Sequence, residues 1–165
     1  MSYDISPHWG SHSTLLESAL SALPSGALVI EHGAGIYSTP IVARYDVRVL
    51  CVEDEPGWRS WAAWMYKNAG RTATVLERAK QTVGQLSTAG LVFIDGITRE
   101  RGDLLKWALD AKAPVIIAHD TEEDMAKAYG FHRHLMSVPG YVVTHDGERP
   151  RTTMWKRIAA PTVVE

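Results

Sequence analysis

Short, nearly continuous apolar runs, each followed by a turn and a helix-compatible stretch, constrain this chain more than any other feature. They are Ala27 to Ile30, Val47 to Val52, Thr72 to Leu76, Leu91 to Ile94 and Pro114 to Ala118. Such runs suit strands covered on both faces. Between them, Ser13 to Leu23 carries Leu15, Leu16, Ala19, Leu20 and Leu23 at helical spacing and is ended by Pro24-Ser25-Gly26. A second helix is expected from Thr39 as N-cap and Pro40 as first helical residue. Trp58 to Ala69, part of Glu77 to Ala89, Asp103 to Ala111 and Glu122 to Tyr129 read as further helices. Tyr141 to His145 and Thr152 to Arg157 alternate as strands do, and Asp146 to Arg151 reads as their hairpin connection. The expected fold is α/β: a doubly wound, mostly parallel Rossmann-like sheet with a C-terminal antiparallel hairpin. The 165 residues suit a single domain spanning 1–165.

In such a sheet, ligands sit at the carboxyl ends of the strands. The residues to inspect are therefore Glu31 to Ser38, Glu53 to Trp58, Asp95 to Arg99 and His119 to Glu123. Gly33-Ala34-Gly35 follows the first strand directly and lets a ligand approach backbone. Glu53 closes the second strand, 20 residues after Gly33, where a carboxylate can accept both hydroxyls of a ribose. Ser38 stands where a dinucleotide fingerprint has its third small residue, and Glu31 would repel a pyrophosphate. A ligand carrying positive charge suits Glu31 better.

The net charge of −2 and pI near 6.4 argue against a protein built to grip nucleic acid. The single cysteine, Cys51, lies in an apolar run and reads as a small buried hydrophobe. Met1 to Gly10 has no apolar stretch resembling a signal peptide, and no run approaches the roughly 20 apolar residues that span a bilayer. A cytoplasmic protein without membrane attachment is expected.

Glu31-x-Gly33-x-Gly35-x-x-Ser38-Thr39 and Val52-Glu53-Asp54-Glu55-Pro56 resemble the first motif and the second-strand acidic motif of class I S-adenosylmethionine-dependent methyltransferases. The resemblance in element order covers nearly the whole chain, the final hairpin included. It implies S-adenosylmethionine as cofactor and assigns Glu31, Gly33, Gly35, Ser38, Thr39 and Glu53 to it. Trp58 is a candidate to stack on the adenine, while Trp61 and Trp64, three residues apart on the same helix, read as core. Glu77, after the third strand, stands where this family often places a carboxylate facing the adenine amine.

Phe93-Ile94-Asp95-Gly96 and Ile117-Ala118-His119-Asp120-Thr121 resemble the small-molecule O-methyltransferase branch, of the catechol and macrolide-sugar kinds. The Asn/Asp-Pro-Pro-aromatic motif of DNA amino-methyltransferases is absent from the fourth strand end. This branch holds a magnesium ion between carboxylates at these two strand ends, which implies Asp95 and Asp120 as metal ligands, Asp95 also as a cofactor contact, and a small-molecule hydroxyl as acceptor. Thr121 stands where the catechol-type enzymes have asparagine; Glu122 or Glu123 could replace it as ligand. Asp120 and His119 are the catalytic candidates, with His8, His12 and His32 as alternative bases. Asp120 could instead cap the helix beginning near Thr121. His132 and His134 are spaced for one strand face and read as surface residues. Little chain remains to shape an acceptor pocket: Met1 to His12, with His8-Trp9-Gly10 able to fold over the cofactor, and the loops. That leaves room for a partner subunit, in a homo-oligomer, to complete the site. Two other readings stay open: a non-catalytic nucleoside-binding or partner-binding module of the same fold, and a dinucleotide-dependent oxidoreductase.

Overall fold

The computed structural model describes residues 12–96, 98–135, 137–146 and 150–159, with Thr98 and Arg99 described by backbone alone. His8, Trp9 and Gly10 lie outside the described residues. The elements run α1 (Ser13–Ser21), β1 (Ala27–His32), α2 (Ser38–Ala43), β2 (Val47–Val52), α3 (Pro56–Asn68), β3 (Ala73–Leu76), a 3-10 helix (Ala79–Gln85), β4 (Leu91–Ile94), α4 (Thr98–Asp110), β5 (Val115–Ala118), α5 (Glu123–Tyr129), a 3-10 helix (His132–His134), β6 (Tyr141–His145) and β7 (Thr153–Arg157).

The strands form one sheet in the order β3-β2-β1-β4-β5-β7-β6. The first five are parallel; β7 pairs antiparallel with both β5 and β6. This is the α/β arrangement the apolar runs predict. The order reverses between β1 and β4, the point at which open parallel sheets leave a crevice.

Two apolar layers cover the sheet. On one face Leu16, Leu20, Val42 and Ala62 pack against Val29, Val49 and Phe93. On the other, Leu104, Leu105, Ala108 and Phe131 pack against Ile30, Val92, Ile94 and Ile116. Trp155 on β7 is fully buried in the second layer, and its indole N–H donates to the His134 carbonyl at 2.8 Å. That bond ties the closing hairpin to the segment preceding it.

Several boundaries differ from the sequence reading. Thr39 is not an N-cap: α2 starts at Ser38 behind Tyr37, and the Thr39 hydroxyl is spent on Glu31 instead. Only a 3-10 helix forms within Glu77 to Ala89. α4 starts at Thr98 rather than Asp103, running through Gly102. A Cβ at Gly102 would collide with the Tyr129 carbonyl, so this glycine lets α5 close on α4 rather than breaking the helix. Trp64 is 57% exposed and not core, whereas Trp61 packs against the first layer. His132 and His134 lie on a 3-10 helix, not a strand.

Replacing Trp155 by Ala should remove about 3–5 kcal/mol of stability through the cavity it leaves. Urea denaturation followed by circular dichroism checks this, and a loss under about 1 kcal/mol would mean that the hairpin is not anchored there.

Candidate active edge

The parallel ladder continues one residue beyond the strands. Gly33 N–H donates to the Val52 carbonyl, Glu53 to Leu76, Asp95 to His32 and His119 to Ile94, at 2.7–3.1 Å. Gly33, Glu53, Asp95 and His119 therefore emerge together at one edge.

Gly33 has φ +94, and a Cβ there would stand 2.5 Å from the backbone of Asp95 and Gly96. No other residue type permits that turn-to-turn contact. Gly35 differs: a Cβ there would meet only Ser38 Oγ, at 3.5 Å, so its outer side is open.

Glu31 lies beneath this turn and is fully buried. Thr39 Oγ1 donates to its Oε1 at 2.9 Å, the Tyr66 hydroxyl donates to its Oε2 at 2.5 Å, and Gly35 N–H in turn donates to Thr39 Oγ1 at 3.2 Å. Burial raises the Glu31 pKa despite these donors. Glu31, expected to face a cationic ligand, has both oxygens turned inward, where it braces the glycine turn against α2 and α3. Ser38 is buried beside it.

Glu53 is half-buried at the end of β2. Its Oε2 accepts from Ala34 N–H at 3.0 Å and its Oε1 from Glu55 N–H at 2.9 Å. Burial raises its pKa, with the two amides working the other way. Glu53 lines a small recess with His32, Gly33, Val52, Asp54, Glu77, Gly96 and Glu100. Glu77 is exposed at its rim. Trp58 is half-buried at the start of α3, edge-on to Trp61 at 5.4 Å.

Asp95 and Asp120 do converge, and what joins them is a residue the sequence reading missed. Arg101, near the start of α4, donates through Nη1 to Asp120 Oδ2 at 2.9 Å and through Nη2 to Asp95 Oδ1 at 3.1 Å. Its Nη2 also donates to the Asp95 carbonyl at 3.1 Å and its Nε to the Gly96 carbonyl at 2.5 Å. The guanidinium lies 4.4 Å from the centre of the Tyr129 ring, a cation–π contact. A signal for it was present: two carboxylates at adjacent buried strand ends need a cation, and the following helix begins with basic residues.

Asp120 has φ +54, and its carboxylate faces Arg101. It does not cap α5, whose N-cap is Glu122. A magnesium ion between Asp95 and Asp120 does not fit this donor set, because Arg101 already spans the pair. Thr121 Oγ1 is held by Thr153 Oγ1 at 2.7 Å and the Arg151 carbonyl at 3.2 Å. Glu122 accepts from Arg151 N–H, and Glu123 pairs with Lys127. The expected third ligands are thus engaged elsewhere.

His119 Nδ1 lies 3.1 Å from Asp95 Oδ1 and 3.4 Å from Asp120 Oδ1. Burial disfavours charge on His119, but the hydrogen bond and charge of Asp95, joined by Asp120, outweigh it and raise the pKa. Burial likewise works against the Asp95 carboxylate, and His119 and Arg101 together overcome it and lower its pKa. The His12 ring packs between His119 and Phe93, at 4.9 and 5.0 Å. Burial lowers its pKa to about 4, against a smaller pull from Asp95. His32 stands apart, 3.6 Å from Glu100 and beyond hydrogen-bond reach.

No family profile matches this sequence, and no curated protein sequence matches it. Solved structures do share its fold. A protein assigned as an O-methyltransferase from Klebsiella pneumoniae is 21% identical with a TM-score of 0.71, over 96% of this chain and 84% of its own. The O-methyltransferase from Bacillus cereus in complex with SAH is 18% identical, with a TM-score of 0.66 over 95% and 84%. A methyltransferase from Geobacter sulfurreducens is 17% identical, with a TM-score of 0.68 over 94% and 81%. The chain has the Rossmann-like α/β fold on which these methyltransferases are built.

Replacing Tyr66 by Phe should cost about 1–3 kcal/mol by leaving one buried Glu31 oxygen without its donor. A thermal melt reads the loss. A Tyr66→Phe protein as stable as the parent would mean that Glu31 does not depend on this donor.

Proposed function

We propose that this chain is an S-adenosylmethionine-dependent methyltransferase that transfers the methyl group to a hydroxyl oxygen of a small-molecule acceptor. One observation carries the reading: Glu53 at the end of β2 stands beside a glycine turn open at Gly35, on the carboxyl edge where the strand order reverses. The charge of the recess supports it. Glu53, Asp54, Glu77 and Glu100 all line it, a setting that repels a pyrophosphate and suits a ligand bearing ammonium and sulfonium charges. The fold shared with methyltransferases supports it again. No helix among the described residues is long and apolar enough to cross a membrane.

When bound, S-adenosylmethionine supplies an electrophilic methyl group on a sulfonium leaving group. In this reading Glu53 takes the ribose hydroxyls, through lone pairs its two amide donors do not use. Gly33 and Gly35 allow close approach of the backbone, with Ser38, Thr39 and Glu31 holding the turn from beneath. Trp58 and Glu77 flank the adenine side. Asp95 stands between the cofactor and acceptor halves. His119 and Asp120 serve the acceptor, whose hydroxyl gives up its proton toward this group as the new carbon–oxygen bond forms. Arg101 holds both carboxylates still, and positioning of this kind supplies much of the rate of an in-line transfer.

Glu53→Ala should weaken S-adenosylhomocysteine binding by about 1.5–3 kcal/mol, roughly 10- to 100-fold, measured by calorimetry. Unchanged affinity removes Glu53 from the site, and tight NAD binding with none for S-adenosylhomocysteine defeats the reading. Cofactor binding without methylated product across a panel of hydroxyl acceptors would favour a binding module of the same fold.

A further inference from the structure

We propose that His12, Asp95 and His119 form a binding site for a divalent transition ion of the zinc and cobalt kind, beside the carboxylate pair that Arg101 spans. One ligand atom from each of these side chains lies within 4.8 Å of the other two. This is a different donor set from the one the two aspartates would make, because Arg101 occupies that position and leaves Asp120 no part in it.

The independent observation is His12. Its side chain is 2% exposed, and neither ring nitrogen has a hydrogen-bond partner among the described residues. A buried imidazole with both nitrogens unpaired is costly, and such groups in folded proteins usually answer to something not yet present. Phe93 backs the ring on one side, while His119 meets it edge-on.

The chemistry of the donors selects the ion. Two imidazoles and one carboxylate suit zinc, cobalt, nickel or iron(II), whereas magnesium prefers an all-oxygen shell. The charge balance allows a cation. Asp95 and Asp120 bring two negative charges and Arg101 one positive charge, and His119 would release its proton on taking up the ion, so that the ion's charge replaces the proton's beside the carboxylates. Arg101 also holds Asp95 through its Oδ1 and its main-chain carbonyl, as groups supporting metal ligands commonly do. A tetrahedral ion with metal–nitrogen bonds near 2.0 Å draws its ligands to about 3.3 Å apart, so small side-chain rotations would close the present spacing. An ion here would lie at the acceptor half of the edge, where it could lower the pKa of an acceptor hydroxyl. His119 would then hold the ion, leaving Asp120 as the nearby oxygen base.

The test uses cobalt chloride alone, titrated into chelator-treated, dialysed full-length protein without cofactor, and reads visible absorption and calorimetry. It is independent of methyl transfer, so its outcome is separate from that of the cofactor titration. One saturable site is expected. His12→Ala should weaken it at least about 100-fold, more than loss of a supporting group does, and Asp120→Asn should change it by less than about 5-fold. His12→Cys should retain one saturable site and add a thiolate-to-cobalt absorption band, in a protein whose circular dichroism and thermal melt match those of the parent. No saturable cobalt binding overturns the proposal. So does binding indifferent to His12→Ala, or binding lost in Asp120→Asn and kept in His12→Ala.

Discussion

Gly33 brings the turn after β1 into backbone contact with the turn after β4, and the rest of the edge is arranged around that contact. The Cβ of any other residue would stand 2.5 Å from the Asp95 carbonyl group. Gly96 makes the reciprocal allowance, since a Cβ there would run into the His32 ring. The crevice at the switch point is thereby narrowed at its floor. Ligand space is left only above it, along Gly35, Glu53 and Glu77. A cofactor seated here would lie along the edge rather than enter the fold.

The same contact demands an unusual interior. Glu31 points away from the edge into the first apolar layer, where an ionised carboxylate is expensive. Thr39 and Tyr66 offset the cost by donating to one oxygen each, and Thr39 also accepts from Gly35 N–H. The chain runs from buried carboxyl to hydroxyl to loop amide, so the glycine turn is held from below by α2 and α3 together. What resembles a ligand contact in the motif acts here as a brace.

The apolar runs made the sheet legible. Val47–Val52 and Leu91–Ile94 begin and end where the patterning puts them, because strands buried by layers leave little freedom in register, and the exposed edge strand Tyr141–His145 does so through its alternation. Helix boundaries were less legible, for tertiary reasons. The helix expected from Asp103 extends back through Gly102 to Thr98, with α5 pressing on that glycine, and Thr39 reads as a cap until Glu31 is seen to need a donor. Trp64 could not be separated from Trp61 by spacing, since both fit a helical stripe and only packing decides which is covered. On the edge, convergence of Asp95 with Asp120 followed from topology. Arg101 did not: it belongs to no motif, and its distance from either aspartate becomes short only once α4 is laid across the ends of β4 and β5.

Arg101 changes what the two aspartates can do. A bare pair of carboxylates would demand a metal or a shared proton, because like charges this close cannot both persist in a partly buried site. With the guanidinium spanning the pair, the Asp95 carboxyl is held below its usual range, and His119 beside it is drawn toward its charged form. The edge is thus divided electrostatically. The β2 side, with Glu53, Asp54 and Glu77, is left acidic toward solvent, while the β4–β5 side carries its carboxylates already neutralised in part. A ligand bringing positive charge is attracted to the first half, and the second presents a group of fixed, oriented dipoles and charges. The proposed methyl transfer from a sulfonium would use both halves: charge on the leaving group vanishes as the methyl moves, so negative charge on the first half would serve cofactor binding and rigid geometry on the second would serve the reaction.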